Sequence, residues 1–563
     1  MSTTFDHSKY APFPPVPMQQ RRWPDRVIAR APMWASVDLR DGNQALVRPM
    51  SVDQKARLFD QLVAMGFKQI EVGFPAASKP DYDFVRKLID EGRIPDDVAI
   101  QVLTQARAEL IERTYEALAG VRRAIVHVYN STNPAQREQV FGLDREGVKA
   151  IAVRGAEWVK VGAEAHPETE WVFQYSPESF STTELDYAVE VVDAVTEVWR
   201  PQDGQGVIIN LPATVESATP NVFADQIEWF CDHVARREHI TVSVHTHNDR
   251  GCAVAAAEMA VMAGADRVEG TLLGNGERTG NMDIVTMALN LYSQGVDPRL
   301  DLSDVAGMID CYTECTQMPV HPRHPWVGEL VYTAFSGSHQ DAIRKGTTHY
   351  TKAGGKWNVP YLPIDPRDLG RRYEEVVRIN SQSGKGGVAH VLERDFGVEL
   401  PRWFAQEFAK VVQNDAEQTG NEVTSVRIWE LFNERYSHPK SAWQMHSYDL
   451  HREHDQVQAR IRVGTERDTI QLQGTGHGAI EALVDALQRQ RGVTVKVEAF
   501  DEHALGEGTE AEAMACVRIR FAETPATAVA LAEDTTSASL QAVLTAVGKA
   551  VEMGAEEAVA GQA

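Results

Sequence analysis

A chain of 563 residues with 43% hydrophobic and 24% charged side chains is long enough for several domains with large cores. Its formal net charge of −24 argues against nucleic acid or an anionic membrane surface as the main partner. Five cysteines build no disulfide framework, and their odd number suits a reducing cytosol, so a cytoplasmic location is expected.

The stretch through Pro32 is rich in proline and lacks an apolar leader, so residues 1–32 read as an extended arm on the protein or on a neighbouring subunit. No apolar run reaches the length of a membrane span. From residue 33 strand and helix patterns alternate. The candidate strands are Met33–Leu39, Phe67–Phe74, Val98–Thr104, Arg123–Tyr129, Trp171–Tyr175, Val207–Leu211, Ile240–Val244 and Arg267–Leu273. Helical patterns lie between them, such as Ser51–Met65 with Ser51 as N-cap and Gly66 at its end. This rhythm predicts an α/β fold, a (β/α)8 TIM barrel over 33–325, with a doubly wound open sheet as the alternative.

A barrel gathers its chemistry just after the strand carboxyl ends. Polar residues stand there: Arg40 and Asp41 after the first strand, Glu71 on the second, His127 on the fourth, Ser176 and Glu178 on the fifth, Asn210 and Thr214 on the sixth. The seventh strand ends in His245 and His247. Residues i and i+2 of an extended chain point to the same side, so both imidazoles can converge on one point, as half of a metal site or as strand caps. Asp41 is the best third ligand, because the first strand neighbours the eighth and lies near the seventh once a barrel closes. Two imidazoles and one carboxylate leave open positions, which is a catalytic arrangement, and Mg²⁺, Mn²⁺ or Zn²⁺ could each occupy it. Gly274, Gly276 and Gly280 lack Rossmann spacing and read as a tight turn after the eighth strand.

Cys311 and Cys315 share one helical face at i, i+4, which reads as packing. Residues 326–430 mix helices with Gly/Pro-rich loops, among them Gly384-Lys385-Gly386-Gly387, which is either a phosphate contact or a turn. Over 431–563 strands such as Val457–Val463 and Val493–Ala499 join helices such as Ala479–Leu487, the pattern of an α+β domain.

Leu39-Arg40-Asp41-Gly42-Asn43-Gln44, His245-Thr246-His247-Asn248-Asp249 and Gly274-Asn275-Gly276-Glu277-Arg278-Thr279-Gly280-Asn281 together resemble the acyl-CoA-condensing synthases. Within that group His321-Pro322-Arg323-His324-Pro325, Phe335-Ser336-Gly337-Ser338-His339-Gln340-Asp341-Ala342, Val359-Pro360-Tyr361-Leu362-Pro363 and Asn380-Ser381-Gln382-Ser383-Gly384 are closest to the α-isopropylmalate synthases, longer actinobacterial-type form. The resemblance covers about residues 20–555. It implies condensation of acetyl-CoA with α-ketoisovalerate, thioester hydrolysis and a place at the committed step of leucine biosynthesis. It also implies a divalent metal, with Mg²⁺ expected, on Asp41, His245 and His247 with Asn281 as a further ligand. Arg40 would stabilise the alkoxide, and His127, Ser176, Thr214 and Glu277 would meet the keto acid or position it. His339 working with Glu178, and Tyr361 beside them, would take the methyl proton. It implies further a homodimer in which 326–430 reaches the active site of the other subunit, and a C-terminal domain over 431–563 that binds leucine as feedback inhibitor, with Gly474 and Gly476 in its binding turn. That turn reads GTGNGP in relatives, whereas this chain has His477 and Ala479. Homocitrate or citramalate synthesis, a metal-dependent barrel hydrolase and a non-catalytic leucine sensor are the alternatives.

Overall fold

The computed structural model describes residues 5–200, 206–334, 337–371, 385–419, 423–437, 443–464, 469–492, 494–505 and 512–560. The chain divides into two compact units, Met1–Val331 with Ile364–Arg371, and Tyr332–Pro363 with Arg372–Ala563.

The first unit is a closed parallel barrel in the order β1 to β8. The strands are Met33–Ser36, Gln69–Gly73, Ala99–Gln105, Arg123–Ser131, Glu170–Glu178, Val207–Ala213, Ile240–Thr246 and Arg267–Gly270. The eight expected strands are all present, and the ring closes through Met33 opposite Arg267 and Ser36 opposite Gly270. Several helices between them begin on a side chain that accepts a hydrogen bond, Ser51, Ser78, Asn133 and Asp144 among them. In Val52–Ala64, Ser51 accepts from the Gln54 backbone while the Gln54 side chain accepts from the Ser51 backbone, a full capping box worth about 1 kcal/mol.

Two expected strands end early, and both breaks shape the site. The first stops at Ser36 because Asp38–Gly42 winds into a π-helical turn, in which the Gly42 and Asp41 amides both donate to the Val37 carbonyl. Such turns re-aim side chains and cluster at functional sites. The eighth stops at Gly270 because Leu273 takes a left-handed φ of 56°, starting the turn toward Asn281.

Inside the barrel, Ala99, Ile125 and Ile208 form a buried apolar plug against which Val172 packs. The strand period of two places Gln101, His127, Asn210 and Gln174 directly above these residues, one layer nearer the strand carboxyl ends.

The second unit holds helices Gly337–Ala353, Lys385–Phe396, Arg402–Thr419 and Ser425–Phe432 and two antiparallel three-stranded sheets. One sheet is β9 (Gln444–Glu453), β10 (Gln456–Gly464) and β11 (Thr469–Gly476); the other is β12 (Val495–Leu505), β13 (Glu512–Phe521) and β14 (Thr524–Ala532). Alternate residues of β10 are exposed, so that sheet buries one face. β13 buries both. Ala513, Ala515, Val517 and Ile519 join the core formed with helices Ala479–Arg491 and Thr535–Ala560, while Met514 and Cys516 join Phe404, Phe408 and Tyr436 on the other side.

Candidate active site

The π-turn after β1 brings Asp41 to the end of β7. Its Oδ2 lies 3.4 Å from His245 Nε2 and 3.7 Å from His247 Nε2, and the two nitrogens are 3.3 Å apart. All three side chains are buried, and they form the cluster of potential metal-ligating groups found among the described residues. Asn281 donates to Asp41 Oδ2 at 2.8 Å, while its own Oδ1 is buried with no hydrogen-bond partner. Lone pairs of two imidazoles and a carboxylate, with an orphaned amide oxygen beside them, are a donor set that a divalent cation satisfies.

The electrostatics agree. Burial works to raise the Asp41 carboxyl, but Arg40 and His245 outweigh it and hold it far below the usual carboxylate range. Burial also works against a charge on His245, yet its bonds to Asp41 and Glu269 push it up to about 9. Burial and the charge on His245 bring His247 down to about 4.

Beneath these ligands lies a fully buried polar layer. Glu269 accepts from His245 Nδ1 at 2.9 Å; a carboxylate only accepts, so Nδ1 carries a proton and Nε2 is the nitrogen turned to the site. Glu269 is held by Arg267 at 2.7 Å and Gln174 at 2.8 Å. Arg267 also donates to Ser243 and to Gln101, each at 2.7 Å. Gln101 in turn donates to Glu71 at 2.5 Å. Glu71 accepts from Arg40 Nε and from His127 Nδ1, and Arg40 Nη1 reaches Asp41 at 2.6 Å. Two buried glutamates thus face two arginines, and each charge is paired and hydrogen-bonded, the condition under which a low-dielectric interior tolerates them.

His127 Nε2 meets the Ser176 hydroxyl at 2.7 Å, and Asn210 Nδ2 donates to that same oxygen at 3.0 Å. Thr214 sits on the rim: its hydroxyl accepts from the Ser179 amide at 2.9 Å and its carbonyl from Arg278, which also grips Asp249 at 2.7 Å. Glu277 accepts from Gln44 at 3.1 Å. Glu178 is half-buried and accepts from the Ser131 hydroxyl.

His339 and Tyr361 belong to the second unit, where their rings stack 4.0 Å apart at 28°. Both are exposed, Tyr361 at 61%, and Tyr361 holds a left-handed φ of 64°. Tyr361 lies within the turn that the Leu362 amide closes by donating to the Val359 carbonyl at 3.2 Å. Phe335, Ser336 and residues 380–384, parts of motifs noted in the sequence, lie outside the described residues.

The partners that sequence reasoning misses are Gln101, Gln174, Arg267 and Glu269. The available signal was Arg267-Val268-Glu269 inside a short strand that must be buried, where charges have to be paired.

A family model described as HMGL-like matches residues 31–310. One for the α-isopropylmalate synthase post-catalytic domain matches 329–393, and one for the LeuA allosteric (dimerisation) domain matches 422–551. A 2-isopropylmalate synthase of Alcanivorax borkumensis is 61% identical over 550 residues, covering 98% of each chain. The chain belongs to the 2-isopropylmalate synthase family. Further 2-isopropylmalate synthases, from Parvibaculum lavamentivorans and Ralstonia nicotianae, are 53% and 54% identical, covering 96% of this chain and 96% and 94% of theirs.

In this family member the region matched to the allosteric domain carries an open cavity of about 570 Å³. It lies between the first residues of two helices, Gly478–Ile480 and Thr535–Thr536, with Val484, Val497 and Phe500 as apolar wall and Glu502 at its edge. Gly474 and Gly476 do not line it. A Cβ on Gly474 would stand 2.2 Å from the Ala482 carbonyl oxygen, and one on Gly476 would stand 2.6 Å from the Ala482 nitrogen. Their geometry gives them a packing role, letting β11 approach the helix Ala479–Arg491 that forms the cavity. His477 is drawn to Glu481, its amide and Nδ1 reaching that carboxylate at 2.8 and 3.0 Å.

Proposed function

We propose that the chain is a transferase that condenses acetyl-CoA with α-ketoisovalerate and hydrolyses the thioester, giving 2-isopropylmalate and CoA for leucine biosynthesis. The observation that carries the reading is the convergence of Asp41, His245 and His247 at the carboxyl end of a closed barrel, in a chain 61% identical to a curated relative of that name.

Asp41, His245 and His247 would hold a divalent ion, with Asn281 Oδ1 beside them. When bound there, such an ion would supply Lewis-acid polarisation that makes C2 of a 2-keto acid electrophilic. Mg²⁺ is the ion we favour, since hard oxygen donors from substrate complete the set; the two imidazoles also suit Mn²⁺ or Zn²⁺. Arg40, tied to Asp41 and Glu71, is preorganised to meet negative charge developing at the keto oxygen. His127, Ser176, Thr214 and Glu277 are proposed to bind or orient the keto acid. His339 is proposed to remove the methyl proton of acetyl-CoA, with Tyr361 assisting and Glu178 in the proton-transfer role.

The reading extends to control. Leucine fits the 570 Å³ cavity by chemistry: helix N-termini for its carboxylate, Ile480, Val484, Val497 and Phe500 for its side chain, and Glu502 for its ammonium. A homodimer is proposed on the match to a dimerisation domain. The functional division we propose is an arm over 1–32, a catalytic barrel over 33–325, a linker over 326–430 and a leucine-binding domain over 431–563. No helix among the described residues is long and apolar enough to cross a membrane, and a cytoplasmic location, suited to five free cysteines, is part of the proposal.

The test is CoA-thiol release from acetyl-CoA with Mg²⁺, comparing α-ketoisovalerate, α-ketoglutarate and pyruvate with and without leucine. Preference for α-ketoisovalerate and inhibition by leucine are expected. Release with another keto acid would overturn the substrate, and release insensitive to leucine would overturn the regulatory assignment.

A further inference from the structure

Glu71 is fully buried and accepts three hydrogen bonds, from Arg40 Nε, from Gln101 at 2.5 Å and from His127 Nδ1 at 3.0 Å. Arg40 and Gln101 with His127 come from separate elements, the π-turn after β1 and strands β3 and β4, and one carboxylate on β2 joins them. Its consequences run further. Because Glu71 can only accept, His127 Nδ1 carries the proton, and His127 Nε2 offers a lone pair to the Ser176 hydroxyl. That hydroxyl accepts from Asn210 and has its own proton to donate to His127 Nε2. The result is a directed chain of donors, Asn210 to Ser176 to His127 to Glu71, with Arg40 donating to the same carboxylate from the opposite end.

We propose that Glu71 is a positioning residue that locks Arg40 and His127 into one unit, so that a single buried carboxylate sets both the group meeting the keto oxygen and the donor pattern of the keto-acid pocket. The inference rests on the reading above, in which Arg40 and His127 face the keto acid. Neutralising Arg40 alone would not require this arrangement, since Asp41 is already in contact with that guanidinium.

A glutamine at this position has one acceptor oxygen and two N–H donors. Arg40 meets Oε1 of Glu71 and His127 meets Oε2, so an amide cannot place an acceptor at both positions. If it keeps Arg40, its amide opposes His127 Nδ1, moving the ring proton to Nε2 and reversing the bond to Ser176. An aspartate keeps the charge but, one methylene shorter, cannot span both partners.

The experiment uses the full chain loaded with Mg²⁺. Ring ¹⁵N NMR, with the His127 signal identified by its loss in His127→Gln, should show the Nδ1–H form in the unsubstituted protein and the Nε2–H form in Glu71→Gln. The kcat/KM for α-ketoisovalerate in Glu71→Gln should fall about 10–100-fold, the usual effect of losing a partner that orients a site residue. Glu71→Gln combined with His127→Gln should lose no more than the poorer single variant. Glu71→Asp should also stay impaired. An Nε2–H ring in the unsubstituted protein, additive losses, or full rescue by aspartate would each overturn the proposal. The NMR result on the unsubstituted chain stands even if Glu71→Gln does not fold. It is also independent of turnover, so absence of CoA-thiol release with α-ketoisovalerate would count against the functional reading and not against the tautomer.

Discussion

Above Ala99, Ile125 and Ile208, the inward positions of the barrel hold Gln101, His127 and Asn210, and across from them stand Glu71, Arg267 and Glu269, all buried. In the second unit the inward positions of β13 and β14 hold Ala513, Ala515, Val517, Ala526, Ala528 and Ala530, packed against Ala482, Ala486, Ala538, Ala542 and Ala546. The two interiors are equally dry and solve different problems. In the barrel Glu71, Gln101, Arg267 and Glu269 are each fixed by hydrogen-bonded partners, so orientation is specified at the expense of tolerance. In the sheet domain small side chains let helices and strands approach closely, and specificity comes from shape. Damage to the first should appear in metal and substrate binding; damage to the second should appear in stability and in control.

The largest expected effect is at Asp41. Asp41→Ala removes the carboxylate facing both imidazoles and should abolish CoA-thiol release, with metal affinity falling by more than the about 100-fold that an orienting partner can cost. Unchanged metal content would remove Asp41 from the ligand set. Next comes Glu269→Gln, which leaves all three ligands in place but loses the acceptor that fixes His245; metal affinity should fall about 10–100-fold by calorimetric titration. An affinity equal to that of the unsubstituted chain would show that the buried layer does not hold the ligands.

The sheet domain is tested by Gly474→Ala. Its added carbon would clash with the Ala482 backbone, at a stability cost of about 1–3 kcal/mol in denaturant unfolding of that domain. Leucine inhibition should weaken while Mg²⁺ affinity stays unchanged. Loss of metal binding in this variant would erase the distinction between the two interiors.

The smallest effect is one of pH. Burial, with Asp283 nearby, pushes the Asp38 carboxyl up from 3.8 to about 7. Between those values the unfolded chain has released this proton and the folded chain still binds it, so stability from this group falls as pH rises through the window and stays lost above it. Asp38→Asn is neutral throughout. Its stability relative to the unsubstituted chain should therefore rise from about pH 4 to about pH 7, and a flat difference would contradict the buried, protonated state of Asp38.

Much of the barrel was legible because each strand is a short β-branched or apolar run, and closure then dictates that residues after the strand ends meet. His245 and His247 declare themselves by spacing, and Asp41 by the adjacency that closure imposes. The π-turn at Asp38–Gly42 was not legible. Its i→i+5 bonding has no compositional mark, and Met33–Leu39 reads equally well as one strand. Nor could the sequence pair Gln101 with Glu71 or Arg267 with Gln101. Polar residues alternating in a strand look solvent-facing until the barrel shows that their face is the inside. In the second unit the glycines at 474 and 476 look like a ligand-binding turn, and the sequence does not show the close approach of strand and helix that they permit.

The most direct test of the central claim is pulsed electron paramagnetic resonance of the Mn²⁺-loaded enzyme with α-ketoisovalerate carrying ¹³C at C1 and C2. The account predicts ¹⁴N modulation from two imidazoles, reduced to one in His247→Gln, together with ¹³C coupling from the bound keto acid. Modulation by no imidazole, or a keto acid bound without ¹³C coupling, would contradict a metal centre at Asp41, His245 and His247 that binds the substrate directly.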